Sequence, residues 1–522
     1  MQPGRAGEAA GGLRYGQPAG RWVLLATVLG SGMAFIDGTV VNIALPHIGG
    51  TFDADAADLQ WVINAYTLTL AAFILLGGSL GDRFGRRRVF LVGAGWFAAA
   101  SLLCGLAPNV ETLIAARALQ GIGGALLVPG SLAILQTSFT PSDRTRAIGS
   151  WSGLAGVAGA IGPFLGGWLV EVSSWRLVFL INLPLAVIVM LVAARHVPES
   201  RNPDASRRLD LTGAALVAVG LGGLTYGLTA WSALGPADPS VVGTLLLGVF
   251  GLAAFLVTET RSTHPMLPLA LFRSRTFSAV NVVTFVVYAA LAGVFFFIVI
   301  NLQVVSGFSP LAAGLSLLPI TILMLLLSSR AGALSTRIGP RIPMTVGPLA
   351  CALALLPLST VGADASYLTE VLPAVVVLGL GLSLTVAPLT ATALAAAQDG
   401  NAGLASGVNN AVARIGGLLA IAVLPLISGV GASLTNPTTL GPAYQASMLL
   451  CAALMAVGAL IALMAIPSSY AAVRVSAEPS AAAAATSTPQ PIGGEQLSPI
   501  RTHCGIGGPP LQPDSTPRPA AR

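Results

Sequence analysis

Long apolar segments alternate with short polar ones from residue 22 to residue 466 of this 522-residue chain. A helix needs about 20 apolar residues to cross the hydrocarbon core of a membrane. By that measure we predict an all-α integral membrane fold with fourteen spans, at 22–44, 61–80, 89–107, 112–136, 147–170, 176–196, 211–231, 241–258, 277–300, 311–331, 343–361, 371–396, 402–430 and 444–466.

The composition also indicates a membrane protein. The chain has 54% hydrophobic and 9% charged residues and a mean hydropathy of +0.82, whereas a soluble globular domain has about 25% charged residues. Its four cysteines show neither a disulfide framework nor a metal-binding spacing. Because no catalytic triad order or phosphate-binding loop is present, we expect a protein that is not an enzyme and that uses no cofactor and no metal.

Arginine is distributed unequally between the two sets of loops. It occurs in 1–21, 81–88, 137–146, 195–209, 259–276 and 330–342 and in the C-terminal tail, whereas the alternate loops carry almost none. Cytoplasmic loops of membrane proteins are enriched in basic residues. We therefore expect a multi-pass protein of the bacterial inner (cytoplasmic) membrane, with both termini in the cytoplasm.

An internal repeat divides the chain. The loop after span 2, "GGSLGDRFGRRRVF", shares five residues with the loop after span 10, "GALSTRIGPRIP", at the constant offset that takes Gly78 to Gly332. Spans 5 and 13 match at the same offset. We predict two six-span halves, as in secondary transporters. The predicted segments are a cytoplasmic N-terminus (1–21), an N-terminal half (22–196), inserted spans 7 and 8 with their flanking loops (197–276), a C-terminal half (277–466) and a disordered cytoplasmic tail (467–522).

Four motifs resemble those of one known family. "GGSLGDRFGRRR" is similar to the loop signature of the major facilitator superfamily, and "ARALQGIGGALLVPG" (116–130) is similar to its span-4 motif. "GAIGPFLGG" (159–167) resembles the span-5 motif of its antiporters. "IDGTVVNIALP" resembles the span-1 motif of its fourteen-span drug:proton antiporters of the EmrB/QacA type.

The resemblance implies proton-coupled efflux of amphipathic drugs or antibiotics, and with it resistance. The alternative is a dedicated exporter of an endogenous secondary metabolite that uses the same alternating-access mechanism. The expected partners are a small amphipathic organic substrate, protons and membrane lipid. We expect no nucleic acid and no obligate protein partner.

Asp37 is the one acid that lies deep inside a predicted span. A carboxylate at such depth costs about 2.5–3.5 kcal/mol on insertion scales and marks a functional site by default. Removal from water favours its neutral form, so we predict that Asp37 carries the coupling proton. The alternative is a packing role with a bond to Asn42 or a hydroxyl. Because a buried charge is lost, we expect Asp37→Asn to fold at least as well as the wild type.

Arg117 in span 4 is the predicted partner of Asp37. Both residues lie about six positions from the outer ends of their predicted spans, hence at similar depth. An arginine stays charged and can hold the carboxylate ionised. The alternative is an arginine that extends to the membrane surface.

Two motifs are predicted to control the conformation. Asp82 is expected to bind the positive N-terminus of span 13 near Asn401 and so to close the cytoplasmic side, although the arginines of this loop also fit plain topology. The remaining residues of this loop motif are Gly78, Arg83, Gly85, Arg86 and Arg87. In span 5, glycines allow close helix approach and a proline bends the helix, so this span could seal the cavity or simply pack tightly; the residues are Gly162, Pro163, Gly166 and Gly167.

Polar residues inside the spans are candidates for the substrate cavity. The sequence does not fix which way each side chain faces, and it does not identify the substrate. The candidates are Asn42, Asn64, Tyr66, Gln120, Asn281, Tyr288, Asn301, Asn409 and Arg414.

Overall fold

The fold is built from helices. A computed structural model describes residues 12–202, 209–262, 265–397, 402–430 and 434–470. The predicted tail beyond residue 470 and the first 11 residues lie outside this description. Within the described residues the only β-type pairing is an isolated bridge between Leu13 and Phe139, so the predicted all-α fold is confirmed.

Every predicted span falls on a helix or on a pair of helices joined by a break. The helices are α1 (Pro18–Phe52), α2 (Ala56–Phe84), α3 (Arg86–Gly105), α4 (Val110–Ser138), α5 (Pro141–Val172), α6 (Leu177–Leu180), α7 (Asn182–His196), α8 (Leu211–Leu234), α9 (Pro239–Arg261), α10 (Arg275–Val304), α11 (Pro310–Ser316), α12 (Leu318–Ile338), α13 (Arg341–Leu358), α14 (Leu372–Ala395), α15 (Ala402–Ser428) and α16 (Pro437–Ala465).

Thirteen membrane-length apolar helices are found in the described part of the chain, counting α6 with α7, α11 with α12, and α14 with the π-helical turn before it as single spans. The remaining predicted span corresponds to α5, which contains the apolar stretch Val157–Val172. The protein is therefore a multi-pass membrane protein.

The first helix is longer than predicted. α1 ends at Phe52 and not at residue 44. It stops at Asp53, which has a left-handed backbone (φ 51°). Asp55 then begins α2, and its side chain accepts the backbone N–H of Asp58 at 2.8 Å. These acids of the predicted outer loop thus end one helix and cap the next.

The span-5 motif packs α5 tightly against two other helices. A Cβ at Gly162 would lie 2.0 Å from Oγ1 of Thr39 on α1, and one at Gly167 would lie 2.4 Å from the carbonyl oxygen of Pro310 on α11. On α11, a Cβ at Gly314 would lie 2.3 Å from the carbonyl oxygen of Pro163. Small residues are needed at these positions because the helix backbones approach so closely. The contact joins the predicted N-terminal half to the predicted C-terminal half on the predicted outer side.

Glu171 strengthens the same contact. Its Oε2 accepts the hydroxyl of Ser309 at 2.7 Å and the backbone N–H of Leu311 at 3.0 Å. The last turn of α5 therefore supplies a carboxylate to the N-terminus of α11, where free N–H groups and the helix dipole favour negative charge. A second bond between the same two predicted halves runs from Gln303 on α10 to the carbonyl oxygen of Ile43 on α1, at 3.1 Å.

Glu171→Ala is expected to loosen the start of α11. A side-chain cap is worth about 0.5–2 kcal/mol, so amide hydrogen exchange at Leu311 should accelerate by about two- to thirtyfold. The measurement is hydrogen–deuterium exchange on the purified protein, and the matched control is Glu111→Ala, an exposed acid in the first turn of α4. Unchanged exchange across α11 in Glu171→Ala would contradict a capping role for this carboxylate.

Candidate functional site

Asp37 lies at the centre of a buried polar network. The side chain on α1 is 0% exposed, and its Oδ2 accepts a hydrogen bond from Nη1 of Arg117 on α4. Its Oδ1 accepts Nε2 of Gln120 at 2.7 Å and Nδ2 of Asn182 at 3.1 Å. The carboxylate therefore has three donors, one of them charged, and Asn42 is not among them.

Arg117 is enclosed by protein. It is 1% exposed, so the interpretation as an arginine that extends to the membrane surface is wrong. Its Nε donates to the carbonyl oxygen of Val62 at 2.9 Å and its Nη1 donates to Oε1 of Gln120 at 2.6 Å. The guanidinium lies 4.3 Å from the ring centroid of Tyr66 and 5.7 Å from that of Phe179. Backbone, amide and aromatic contacts thus replace the water that this cation has lost.

Two members of the network were missed from the sequence. Ser101 on α3 accepts Nε2 of Gln120 at 2.8 Å and Nδ2 of Asn182 at 3.3 Å. Asn182 is the first residue of α7, directly after the break at Ile181. A polar side chain inside an otherwise apolar span was the available signal for both, but serine and asparagine carry no charge and are common in packed membrane helices.

The network has a simple chemical property. It contains one carboxylate and one guanidinium, with neutral amide and hydroxyl groups around them. In surroundings of low dielectric constant the ion pair is strong when Asp37 is ionised. Protonation of Asp37 would remove that attraction and leave Arg117 charged and unpaired. The arrangement can therefore convert the gain or loss of one proton into a large change in the energy that holds α1 to α4.

The candidate cavity residues are not gathered into one group. Tyr66 and Gln120 belong to the Asp37 network, and the hydroxyl of Tyr66 donates to the carbonyl oxygen of Ala34 at 3.0 Å. Asn64 on α2 is 0% exposed, and neither of its amide atoms has a hydrogen-bond partner within the described chain. Asn42 and Tyr288 are half-buried.

Three other candidates form structural bonds. Asn409 on α15 donates to Oδ1 of Asn281 at 3.2 Å and to Oγ1 of Thr284 at 2.7 Å, and so fixes α15 to α10. Asn301 donates to the carbonyl oxygen of Val361 at 3.0 Å and is 0% exposed. Asn301 thus joins α10 to the segment after α13 through a backbone carbonyl, and its expected place in the cavity stays a prediction.

Arg414 extends from α15 towards α1. Its guanidinium carbon lies 5.5 Å from the ring centroid of Phe35, two residues before Asp37 in the chain. The side chain is half-buried. It is thus a cation of the predicted C-terminal half that contacts the helix bearing the buried acid.

A cavity of about 310 Å³ opens between α2, α4 and α15 on the predicted cytoplasmic side. Its lining includes Gly78, Asp82, Arg86, Trp151, Met266 and Asn410. A second cavity of about 490 Å³ lies on the predicted outer side and includes Pro46, Asp53, Asp55 and Val304. The loop motif after span 2 therefore borders the cytoplasmic cavity.

The loop motif is held by local charge pairs. Asp82 binds Arg86 at 2.6 Å, while the backbone N–H of Arg87 donates to Oε1 of Glu199 at 3.1 Å. Gly85 has φ 111°, and a Cβ there would lie 2.7 Å from the same carboxylate oxygen, so a glycine is required.

The predicted cytoplasmic latch would join Asp82 to the start of span 13, near Asn401. Asn401 lies outside the described residues, and Asp82 uses its carboxylate for Arg86. Arg83 stacks on the neighbouring ring of Phe84, with 4.8 Å between the guanidinium carbon and the ring centroid. The bond from Asp82 to the start of α15 stays a prediction.

The fold is a bundle of membrane-length helices with a buried ion pair. These features define a polytopic membrane protein with a charged site in its interior. The chain belongs to the Major Facilitator Superfamily, whose family model matches residues 27–421.

Curated relatives with sequence similarity are export and resistance proteins. The chain is 37% identical over 426 residues to the tetracenomycin C resistance and export protein of Streptomyces glaucescens. The aligned region covers 81% of this chain and 78% of that protein. It is 36% identical over 402 residues to the multidrug resistance protein Stp of Mycobacterium tuberculosis, with 77% and 74% covered.

Solved structures show the same fold. A bacterial homolog of the human lysosomal transporter Spinster, in an inward-facing and unoccupied conformation, matches with a TM-score of 0.61 at 18% identity. The match covers 89% of this chain and 99% of that one. At this identity the likeness supports the fold alone.

The burial of Arg117 reverses the expectation for Asp37→Asn. Removal of one partner of a buried ion pair leaves the other charge unpaired, at a cost of about 3–5 kcal/mol. We expect Asp37→Asn to lower the thermal unfolding midpoint of the detergent-purified protein, and the double variant Asp37→Asn/Arg117→Gln to recover part of the loss because it removes both charges. A double variant that unfolds below Asp37→Asn would contradict this account.

Proposed function

We propose that this protein is a proton-coupled exporter of amphipathic drugs or antibiotics, and that it confers resistance to them. The observation that carries the proposal is the ion pair between Asp37 and Arg117, both less than 2% exposed. The names of the relatives support export and resistance. Proton coupling rests on the chemistry of the buried acid.

The proton and the substrate compete for the carboxylate of Asp37. When the site opens outward, a proton neutralises Asp37 and weakens its bond to Arg117. With Asp37 protonated, the site changes to the inward-open state at lower cost, since the ion pair no longer holds α1 to α4. On the cytoplasmic side Asp37 releases the proton, and an amphipathic compound, especially a cation, binds against the ionised site. The membrane potential supplies about 2.3 kcal/mol per charge per 100 mV.

The two predicted halves, 22–196 and 277–466, alternate access by moving against each other. The contacts of α5 and Glu171 with α11, and of Gln303 with α1, close the outer side in one state. The loop of Asp82 and the start of α15 close the cytoplasmic side in the other. The chain lies in the bacterial cytoplasmic membrane with both termini in the cytoplasm.

A second candidate function is the dedicated export of one endogenous secondary metabolite. The similarity to a protein named for both resistance to and export of tetracenomycin C favours it. Both functions use the same coupling site, so they differ only in the range of compounds that the cavity accepts.

Expression in a bacterial host that lacks its own efflux pumps tests the proposal. We expect a several-fold rise in the inhibitory concentration of several amphipathic antibiotics, which is lost in Asp37→Asn at matched membrane levels and kept in Glu370→Gln, an exposed acid before α14. A rise confined to one family of natural products would favour the dedicated exporter. No rise for any antibiotic or natural product in the panel would contradict both functions.

Proton coupling is tested in inverted membrane vesicles with an imposed pH gradient. Addition of a compound identified in the resistance assay should release protons from wild-type vesicles, as reported by a pH-sensitive dye. Asp37→Asn should abolish the signal, because its amide cannot exchange a proton, while Glu370→Gln keeps it. Substrate binding to Asp37→Asn must be measured in parallel to establish that the variant is folded. A wild-type signal in folded Asp37→Asn would place the coupling proton on another residue.

A further inference from the structure

A second pair of acidic side chains lies at the predicted cytoplasmic end of the inserted helices α8 and α9. Asp210 is the N-cap of α8, and its Oδ1 accepts the backbone N–H of Gly213 at 2.7 Å. Glu259 lies in the last turn of α9, and its Oε2 accepts the backbone N–H of Leu267 at 3.1 Å. Each carboxylate therefore has one oxygen bound to the backbone and one oxygen left over.

The two remaining oxygens face the same small space. A Cβ placed on Gly213 would lie 2.7 Å from Oδ2 of Asp210 and 2.9 Å from Oε1 of Glu259. Both oxygens are shielded from solvent, and neither has a hydrogen-bond donor within the described chain. Glu259 is only 3% exposed. Two acceptors that border one such space, without a donor, repel each other unless something with positive charge lies between them.

No described cation neutralises the pair. The charged residues on the elements around this end include Asp82, Arg83, Arg86, Arg261, Arg273 and Arg275, and none of them forms a salt bridge with Asp210 or Glu259. Arg414 on α15, which also packs against α8, contacts Phe35 instead. Four further titratable residues nearby in sequence lie outside the described residues: Asp204, Arg207, Arg208 and His264.

We propose that Asp210 and Glu259 share one bound proton and form a second protonatable site, separate from Asp37. One carboxyl group carries the proton and donates it in a hydrogen bond to the facing oxygen of the other. Carboxyl pairs that face each other in a buried site retain one proton because both groups cannot ionise together at acceptable cost. The two carboxyl groups are coupled, so the proton belongs to both residues.

The pair is connected to the wall of the cytoplasmic cavity. The bond from Leu267 to Glu259 ties the chain after α9 back onto the helix, and Leu267 packs against apolar clusters that include residues of α8, α9 and α15. The preceding residue, Met266, lines the cavity of Asp82 and Arg86. Loss of the shared proton would place two negative charges at this tie. The proton on the pair thus fixes one wall of the cytoplasmic cavity.

Infrared spectroscopy of the purified full-length protein tests the proposal directly. The probe is the proton itself, seen as the C=O stretch of a protonated carboxyl group, in a detergent without ester groups. The Asp37→Asn background removes any contribution from the coupling acid. At neutral pH we expect this band to be present in Asp37→Asn and lost in Asp37→Asn/Glu259→Gln. The amide of Gln can still donate to Oδ2 of Asp210, so the fold should be kept.

Two further variants sharpen the outcome. Asp210→Asn in the same background should also lose the band, which provides the test if Glu259→Gln does not fold. Glu370→Gln replaces an exposed acid and should leave the band unchanged. A band that survives both Glu259→Gln and Asp210→Asn, or one that is absent already in Asp37→Asn, would overturn the proposal. The readout does not involve export, so its failure is separate from a failure of proton-coupled transport at Asp37.

Discussion

The ion pair between Asp37 and Arg117 is the interaction on which the N-terminal helices depend. Two charges have been removed from water, and their mutual attraction offsets that cost only if the remaining donors and acceptors are also satisfied. Five helices take part in this network: α1 and α4 supply the charges, α2 a carbonyl oxygen and an aromatic face, α3 a hydroxyl and α7 an amide. The positions of these helices are therefore linked by one polar centre, and a change in its charge acts on all of them.

Close backbone packing is the second constraint, and it acts where the polar centre does not. A membrane interior provides little hydrophobic drive for helix association, so contacts rely on small residues that bring backbones together. α5 meets α1 and α11 through Gly162, Gly167 and Gly314, and α8 meets α9 where a Cβ on Gly223 would lie 2.8 Å from the backbone nitrogen of Gly248. The contact between α5 and α11 also includes the hydrogen bonds that Glu171 accepts. It therefore combines close packing with a single carboxylate that is exposed to solvent. A contact of that kind can open without the unfolding of a buried core.

Much of this organisation could be predicted from the sequence. The lengths of the apolar segments predicted the helices, because a membrane requires spans of one characteristic length. Asp37 and Arg117 stood out because charges in such segments are rare. Uncharged partners such as Ser101 and Asn182 gave no comparable signal, and the ends of α1 extended past the apolar run. The expected effect of Asp37→Asn on stability also changes with the structure, since the sequence cannot show that Arg117 is buried and has no other salt-bridge partner within the described chain.

The two acid sites differ in what balances their charge, and this sets what each can do. Asp37 faces a permanent cation, so its ionised form is the paired one and protonation breaks a contact between helices. The pair of Asp210 and Glu259 has no described cation beside it, so its protonated form is the bonded one and loss of the proton breaks the contact. Protonation therefore acts in opposite directions at the two sites: it loosens the centre of the N-terminal helices and tightens the tie beside the cytoplasmic cavity. When both sites are protonated, the bond between Asp37 and Arg117 is weakened. Under the same conditions, the wall of the cytoplasmic cavity next to Asp82 is held most firmly.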